Sequence, residues 1–487
     1  MPRDPTLSLG RRRWLQRSAL GLSAAFGAGS LANLLLGARP AYAADYRALV
    51  CVFLYGGNDG MNMVVPSDTA RYAQYGAVRG ALALPRASLL PLGSTDHGLH
   101  PALAPLQPLW AAGQLAPVFN VGPLYRPLSK AQYRAAATGA GTPDIPDQLY
   151  SHSDQQLLWE CAGTDALART GWGGRASDAL GTVNPVISVG GNGRFGLSAT
   201  QAPLVLPGPG ATFGAYGLDP ASTAWAPHQA RKTALDALYS PAQVAALDNR
   251  LAEAYAVAHR DAFDKADRLA PLIKAMPGQD GAYAAIDAAF AGLTSAGTVS
   301  GQLAQQLYQV AKLVAGNAAV QGNRQIFFVQ MDGFDTHAAQ VNSGDPLAGT
   351  HATLLGTLAA ALAAFQNALN GVGLGAQVTT FTQSDFGRTF APNSTLGTDH
   401  AWGNHQLVLG GAVRGGTTYG TYPSLVLGGD DDVGVQTWEQ QGRWIPTTSV
   451  DQYAATLLGW FGAGAAQIDA VLPNLAHFGS ARSLGFV

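Results

Sequence analysis

The chain has 487 residues, of which 47% are hydrophobic and only 12% charged, with a formal net charge of −2. That length admits one large α/β unit with insertions as readily as two domains, and core size is not limiting. The near-neutral balance leaves no basic footprint for nucleic acid or anionic lipid, so the expected partners are small or neutral.

The first 43 residues read as a twin-arginine signal peptide. Arg11, Arg12 and Arg13 precede Trp14 and Leu15, and a weakly apolar stretch runs from about Ala19 to Leu36. Ala41-Tyr42-Ala43 then supplies the small residues that suit cleavage before Ala44. Cleavage leaves no stable membrane anchor, and the expected location is periplasmic or secreted. Beyond the signal no apolar run is expected to span a membrane, because Gly, Asn and Gln break the Ala-rich stretches.

Residues 44–487 are expected to form the α/β domain. The run 47–55, RALVCVFLY, reads as a buried strand closed by Gly56-Gly57. A helix beginning near Pro101 and a second strand, LAPVFNVG, follow in the order of a βαβ unit. Gly and Pro dominate from about 196 to 222, and Ser240-Pro241-Ala242-Gln243 then has the capping residues of a helix running toward Met276. Residues from about 223 to 300 therefore read as a helical insertion, placed either as a cap over the ligand end of the sheet or as a peripheral decoration. The pattern recurs in a helix (300–316), a strand (325–333), a helix (351–370), a strand (377–387) and a short strand (405–411). This alternation predicts a large, mostly parallel sheet with helices on both faces. Cys51 falls in a strand and Cys161 in a helix, which favours two buried free thiols over a bridge.

Three of four polar clusters stand where strands end, the place where open α/β sheets put their sites. Asp59 lies in Gly56-Gly57-Asn58-Asp59-Gly60, which is also ordinary turn chemistry. Asp335 and His337 lie two apart in an extended segment, so oxygen and imidazole ligands can converge on one cation. Asp385 and Arg388 open a stretch that continues to Asp399, His400 and His405, dense in ligand types for so uncharged a chain. Arg388 is placed either to hold an anionic group or to pair with an Asp. Ser151 or Ser153, before the helix QQLLWECAG, is read as a nucleophile at a helix N-terminus or simply as its cap. No G-x-S-x-G elbow supports a serine-hydrolase triad, and GGNDG lacks the spacing of a dinucleotide loop.

The leader, FLYGGNDGMNMVVP, SHSDQQLLWE with GWGGR, MDGFDTHAAQ and SDFGRTFAPNSTLGTDHAWGNHQLVLGGAVRGG together resemble one bacterial family of exported proteins, catalogued as domain of unknown function 1501. That family is placed with the alkaline phosphatase and sulfatase-like superfamily. The resemblance implies an alkaline phosphatase-like fold with Asp59, Asp335, His337, Asp385, Asp399, His400 and His405 as metal ligands and Ser151 as nucleophile. It departs from the superfamily where Asp385 is followed by Phe386 instead of His, which puts one metal position in doubt.

The implied activity is metal-dependent hydrolysis of phosphate or sulfate esters, on a small-molecule or polymer substrate. The implied cofactor is one or two divalent ions, zinc, calcium or manganese. The alternative is a non-catalytic envelope protein on the same fold.

Overall fold

Eight strands build the central sheet: β1 (Arg47–Leu54), β2 (Leu115–Gly122), β3 (Ile187–Ser188), β4 (Leu204–Val205), β5 (Arg324–Met331), β6 (Val378–Ser384), β7 (Asn404–Leu409) and β8 (Thr448–Ser449). Their spatial order is β8-β2-β7-β6-β1-β5-β3-β4. The computed structural model describes residues 45–140, 145–215, 217–218 and 226–487, so the predicted export signal lies outside the described residues. Pairings are parallel except where β7 runs antiparallel to both β6 and β2. The sheet is therefore mostly parallel but mixed, and β1 and β2 run the same way with two strands between them.

Strand β1 is central because it is apolar throughout: every residue after Arg47 is buried. Leu49, Cys51 and Phe53 point into a core shared with α1 (His152–Cys161), α2 (Trp172–Leu180) and α5 (Val450–Phe461). Val50 and Val52, on the opposite face by the two-residue period, are equally buried. On that side lie α3 (Gln302–Ala315), packed on β5, and α4 (Thr350–Gly371), packed on α3. Helix α4 is long and apolar enough to cross a membrane, contrary to the expectation that no segment would be, yet it is a mostly buried core helix. Both cysteines are buried and free, as expected, and burial pushes the Cys161 thiol up to about 12.

Two helix boundaries differ from the sequence reading. The first helix after His100 is a 3-10 stretch, Pro101–Leu106, continued by Gln107–Ala111. The helix predicted from Ser240 is broken: Pro241–Ala245 ends at once, and Arg250–Lys274 starts anew where Asn249 accepts from Leu251 N and Ala252 N. Asn is the stronger cap here because its side chain closes on the backbone, whereas Ser240 makes no such bond. The last turns of Arg250–Lys274 pack against the C-terminal end of α3, where Lys312 donates to Leu272 O at 2.7 Å and to Ala275 O. That end of α3 leads into the start of β5, away from the end of the sheet where the polar clusters lie.

The register decides the rest. Leu54 of β1 pairs with Met331 of β5 on one side and Ser384 of β6 on the other, so three adjacent parallel strands end level. Ser384 fastens this edge, donating to Leu54 O at 2.6 Å and accepting from Asn58 N at 2.9 Å.

Candidate metal centre

Four side chains from three separate stretches converge beyond these level strand ends. Asp335 and His337 follow β5, His400 lies in the loop before β7, and His152 opens α1. One ligand atom from each lies within 4.8 Å of all the others. Asp335 Oδ1 stands 3.4 Å from His152 Nε2, 3.3 Å from His337 Nε2 and 3.7 Å from His400 Nε2. A tetrahedral ion with bonds of about 2.0–2.1 Å would separate its ligand atoms by about 3.3–3.4 Å.

Each imidazole is held by its other nitrogen. His152 Nδ1 donates to Asp385 Oδ2 at 2.7 Å, His337 Nδ1 to Asp399 Oδ1 at 3.0 Å, and His400 Nδ1 to the Tyr150 carbonyl at 2.7 Å. Because those partners are acceptors, the proton of each neutral ring resides on Nδ1, and three Nε2 lone pairs then face one carboxylate. His337 Nε2 and His400 Nε2 are only 2.8 Å apart, and His152 Nε2 is buried without a hydrogen-bond partner. Acceptors gathered so closely repel unless a proton or a metal cation sits among them, and carboxylate or carbonyl groups behind the rings are the usual support of metal-binding histidines. The residues therefore fit a metal ion.

The local fold explains the convergence. Gly56, at φ +111°, closes the turn after β1 where a Cβ would come within 2.3 Å of Asp335 N, so the β1 loop can lie directly on the Asp335 segment. Backbone bonds from Gly387 N to Trp402 O, Thr389 N to Asp399 O and Ala401 N to Gly387 O fold the 387–402 stretch back on itself and return His400 to the strand ends. Phe386 packs against the rings of His152 and His400, at centroid distances of 4.8 and 4.6 Å, as an apolar floor. The opposite side is open: the side chains of Asp335 and His337 are 48% and 45% exposed.

Electrostatics follow from these contacts. The Asp385 hydrogen bond raises the His152 imidazole against the opposing effect of burial. Burial lowers His400, and the charges of Arg388, His152 and His337 reinforce this against the Tyr150 carbonyl. Burial would raise the Asp335 carboxyl, but the hydrogen bond and charge of Arg388, with His152 and His337, hold it below the ordinary carboxylate range.

Of the residues singled out from sequence, Asp335, His337 and His400 meet in the cluster, and Asp385 and Asp399 stand one bond behind it. Arg388 is buried and takes the pairing alternative. Nε donates to Gly57 O, Nη1 to Thr398 O, and Nη2 to Asp335 Oδ1 at 2.6 Å and to the carbonyls of Gly56 and Phe334. A guanidinium so engaged positions Asp335 and the loops.

Asp59 is not in the cluster. Its carboxylate caps Gly60–Met63, pairs with buried Arg79 at 2.5 Å and accepts from Gln340 at 2.6 Å. His405 is also elsewhere, buried beside Phe119 and Tyr422, with Nδ1 accepting from Asn120 N at 3.1 Å and its imidazole pushed by burial down to about 3. Ser151 stands at the N-cap of α1 without bonding the helix backbone; its hydroxyl donates to Asp154 at 2.6 Å.

The sequence reading missed His152 as a ligand. A signal was present: His152 and Gln156 are four apart on one helix face, and both donate to Asp385 Oδ2, Gln156 at 2.9 Å.

The chain belongs to the family described as Protein of unknown function (DUF1501), whose model matches residues 46–436. No curated protein matches it. Among solved structures it is similar to Ps i-CgsB in complex with k-i-k-neocarrahexaose, at 11% identity and a TM-score of 0.33, covering 87% of this chain and 74% of that one. It is also similar to the alkaline phosphatase of Thermus thermophilus, at 17% identity and a TM-score of 0.23, covering 74% of this chain and 64% of that one. Likeness at this level carries no argument about the reaction.

Proposed function

We propose that this protein is an exported, metal-dependent hydrolase of phosphate or sulfate esters, built on an alkaline phosphatase-like sheet. The observation that carries the proposal is the convergence of His152, Asp335, His337 and His400, each imidazole braced through Nδ1. Three nitrogens and one carboxylate suit a transition ion such as zinc or manganese, whereas calcium prefers six to eight oxygens. One such group occurs among the described residues, which supports a single ion.

When bound, a divalent cation supplies Lewis-acid polarisation of an ester oxygen and acidifies a nucleophile. The protein's own residues do the rest. Asp385, Asp399 and the Tyr150 carbonyl hold the three rings by Nδ1 so that their Nε2 atoms are aimed at Asp335. Arg388 keeps Asp335 ionised, and Phe386 excludes water from behind the rings. Ser151 is the proposed nucleophile: it sits between Tyr150 and His152, both part of the centre, and Asp154 accepts its proton-bearing hydroxyl. The engagement of Arg388 by backbone carbonyls also favours a second reading, a binding protein without turnover, since it withdraws the obvious anion-holding group.

Elemental mass spectrometry of the mature protein, purified without chelators, tests the proposal beside the Asp335→Ala, His337→Ala double variant. About one transition-metal ion per chain, lost in the variant together with hydrolysis of aryl phosphate or sulfate esters, is expected. A folded wild type that neither holds nor takes up metal would leave the non-catalytic reading.

A further inference from the structure

A cleft of about 450 Å³ opens beside the metal centre, within the range of roughly 300–1,000 Å³ common for small-molecule sites. It is lined by Tyr133, Arg134, Tyr150, Trp438, Glu439 and Arg443 among others, and two of these walls hold a metal-centre residue directly. The Tyr150 carbonyl accepts from His400 Nδ1 at 2.7 Å, and Arg443 Nε donates to the His400 carbonyl at 2.9 Å. A group lying in the cleft is thus one residue away from His400.

The lining has two properties that a merely structural cleft lacks. Trp438 is 74% exposed on the 3-10 turn Thr437–Glu439, and a tryptophan so exposed leaves a large apolar face to be covered. Tyr133 and Tyr150 extend the aromatic surface, with hydroxyls 3.3 Å apart, and the Arg443 guanidinium lies 5.2 Å over the Tyr150 ring. The second property is charge. Two guanidinium groups, those of Arg134 and Arg443, line the cleft. Glu439 accepts from Val435 N at 3.1 Å and Gln436 N at 3.0 Å, and the buried Asp432 carboxylate accepts from Arg443 N at 3.3 Å. Both carboxylates are tied to backbone N–H groups, and the two guanidinium groups are the charged side-chain donors that the cleft offers.

Aromatic faces beside planar guanidinium groups recognise a ring whose face is C–H rich and whose edge carries acid groups. We propose that this cleft is a recognition subsite for one sugar ring of an anionic saccharide, which makes the ester substrate a sulfated, phosphorylated or uronic-acid-containing glycan. The consequence for turnover rests on the hydrolase reading above; the binding does not. Binding energy gathered here, remote from the reacting bond, would orient the ester over the centre.

Titration calorimetry and saturation-transfer NMR on the full mature chain would use oligosaccharides of heparin, chondroitin sulfate and polygalacturonate, with maltotetraose and phenyl sulfate as comparators. At least one charged series should bind in preference to maltotetraose. Trp438→Ala should weaken that binding about tenfold, and Arg134→Gln should reduce the preference for the charged over the neutral sugar about tenfold. The proposal is overturned if no charged series binds, if maltotetraose binds as well, if phenyl sulfate alone binds, or if both variants bind as wild type. Repeating the titration on Asp335→Ala separates the two ideas: saccharide binding without hydrolysis in any form sinks the enzyme and keeps the subsite, and hydrolysis without saccharide binding does the reverse.

Discussion

Replacing Asp385 with asparagine removes one charge from behind the metal centre and almost nothing else. Asp385 Oδ2 accepts from His152 Nδ1 at 2.7 Å, Gln156 Nε2 at 2.9 Å and Gly56 N at 3.1 Å, while Oδ1 is buried without a partner. An amide oxygen can occupy the Oδ2 position and keep all three donors satisfied, with the amide NH2 in the already unpartnered place. The fold should therefore survive, at a cost of about 1–3 kcal/mol for one buried donor left unpaired. The bond from His152 becomes neutral in its acceptor and loses roughly half its strength. Substitutions behind metal-bound histidines typically weaken the metal by about 10–100-fold, equivalent to about 1.4–2.8 kcal/mol. Competition against a chromophoric chelator, on protein whose thermal transition shows that it is folded, should register that loss. Asp385→Ala should lose metal and also unfold at lower temperature, because three donors are then stranded. Wild-type metal affinity in folded Asp385→Asn would refute the idea that this carboxylate braces a metal-binding histidine.

Ser151→Ala should abolish ester hydrolysis and leave metal content unchanged; retained turnover would assign the attack to water. Asp59→Asn should lower stability but keep the metal, since Asp59 answers to Arg79 and Gln340, whereas metal loss in a folded variant would return Asp59 to the ligand set. Arg79→Met strands the buried Asp59 carboxylate and should destabilise by about 3–5 kcal/mol in urea titration. Asp451 is buried near the start of α5, and burial raises its carboxyl to about 8. With an unfolded value of about 3.9, the native state binds the extra proton between these limits, so stability should fall as pH rises from about 4 to about 8. Asp451→Asn should flatten this slope, by on the order of a few kcal/mol at the alkaline end; an unchanged slope would exonerate Asp451.

Much of the architecture was legible because it depends on local pattern. Unbroken apolar runs such as 48–54 and 326–329 have only one way to be buried on both faces, and the helices between strands dictated parallel pairing. Asp335, His337, Asp385 and His400 could be suspected because each stands just past such a run or in the loop after it. The direction of β7 was not legible, since six buried residues read alike in either orientation. Nor could local pattern tell Asn249 from Ser240 as the true helix start, where a cap is decided by whether the side chain reaches the backbone.

The division within the site has the same origin. From residue types alone, Asp59, Asp385 and Asp335 are equivalent acids after strands, and Arg388 is a free cation. Tertiary structure separates them through their partners: Arg79 and Gln340 occupy Asp59, three donors occupy Asp385, and Asp335 remains half-exposed among three Nε2 atoms. His152 joins because α1 delivers its first residue to the ends of strands more than 170 residues later in the chain. Sequence determines which side chains carry chemistry and that they fall at strand ends; only the packed register decides which lone pairs share a point, because ligation depends on distances of a few ångströms that no spacing along the chain encodes.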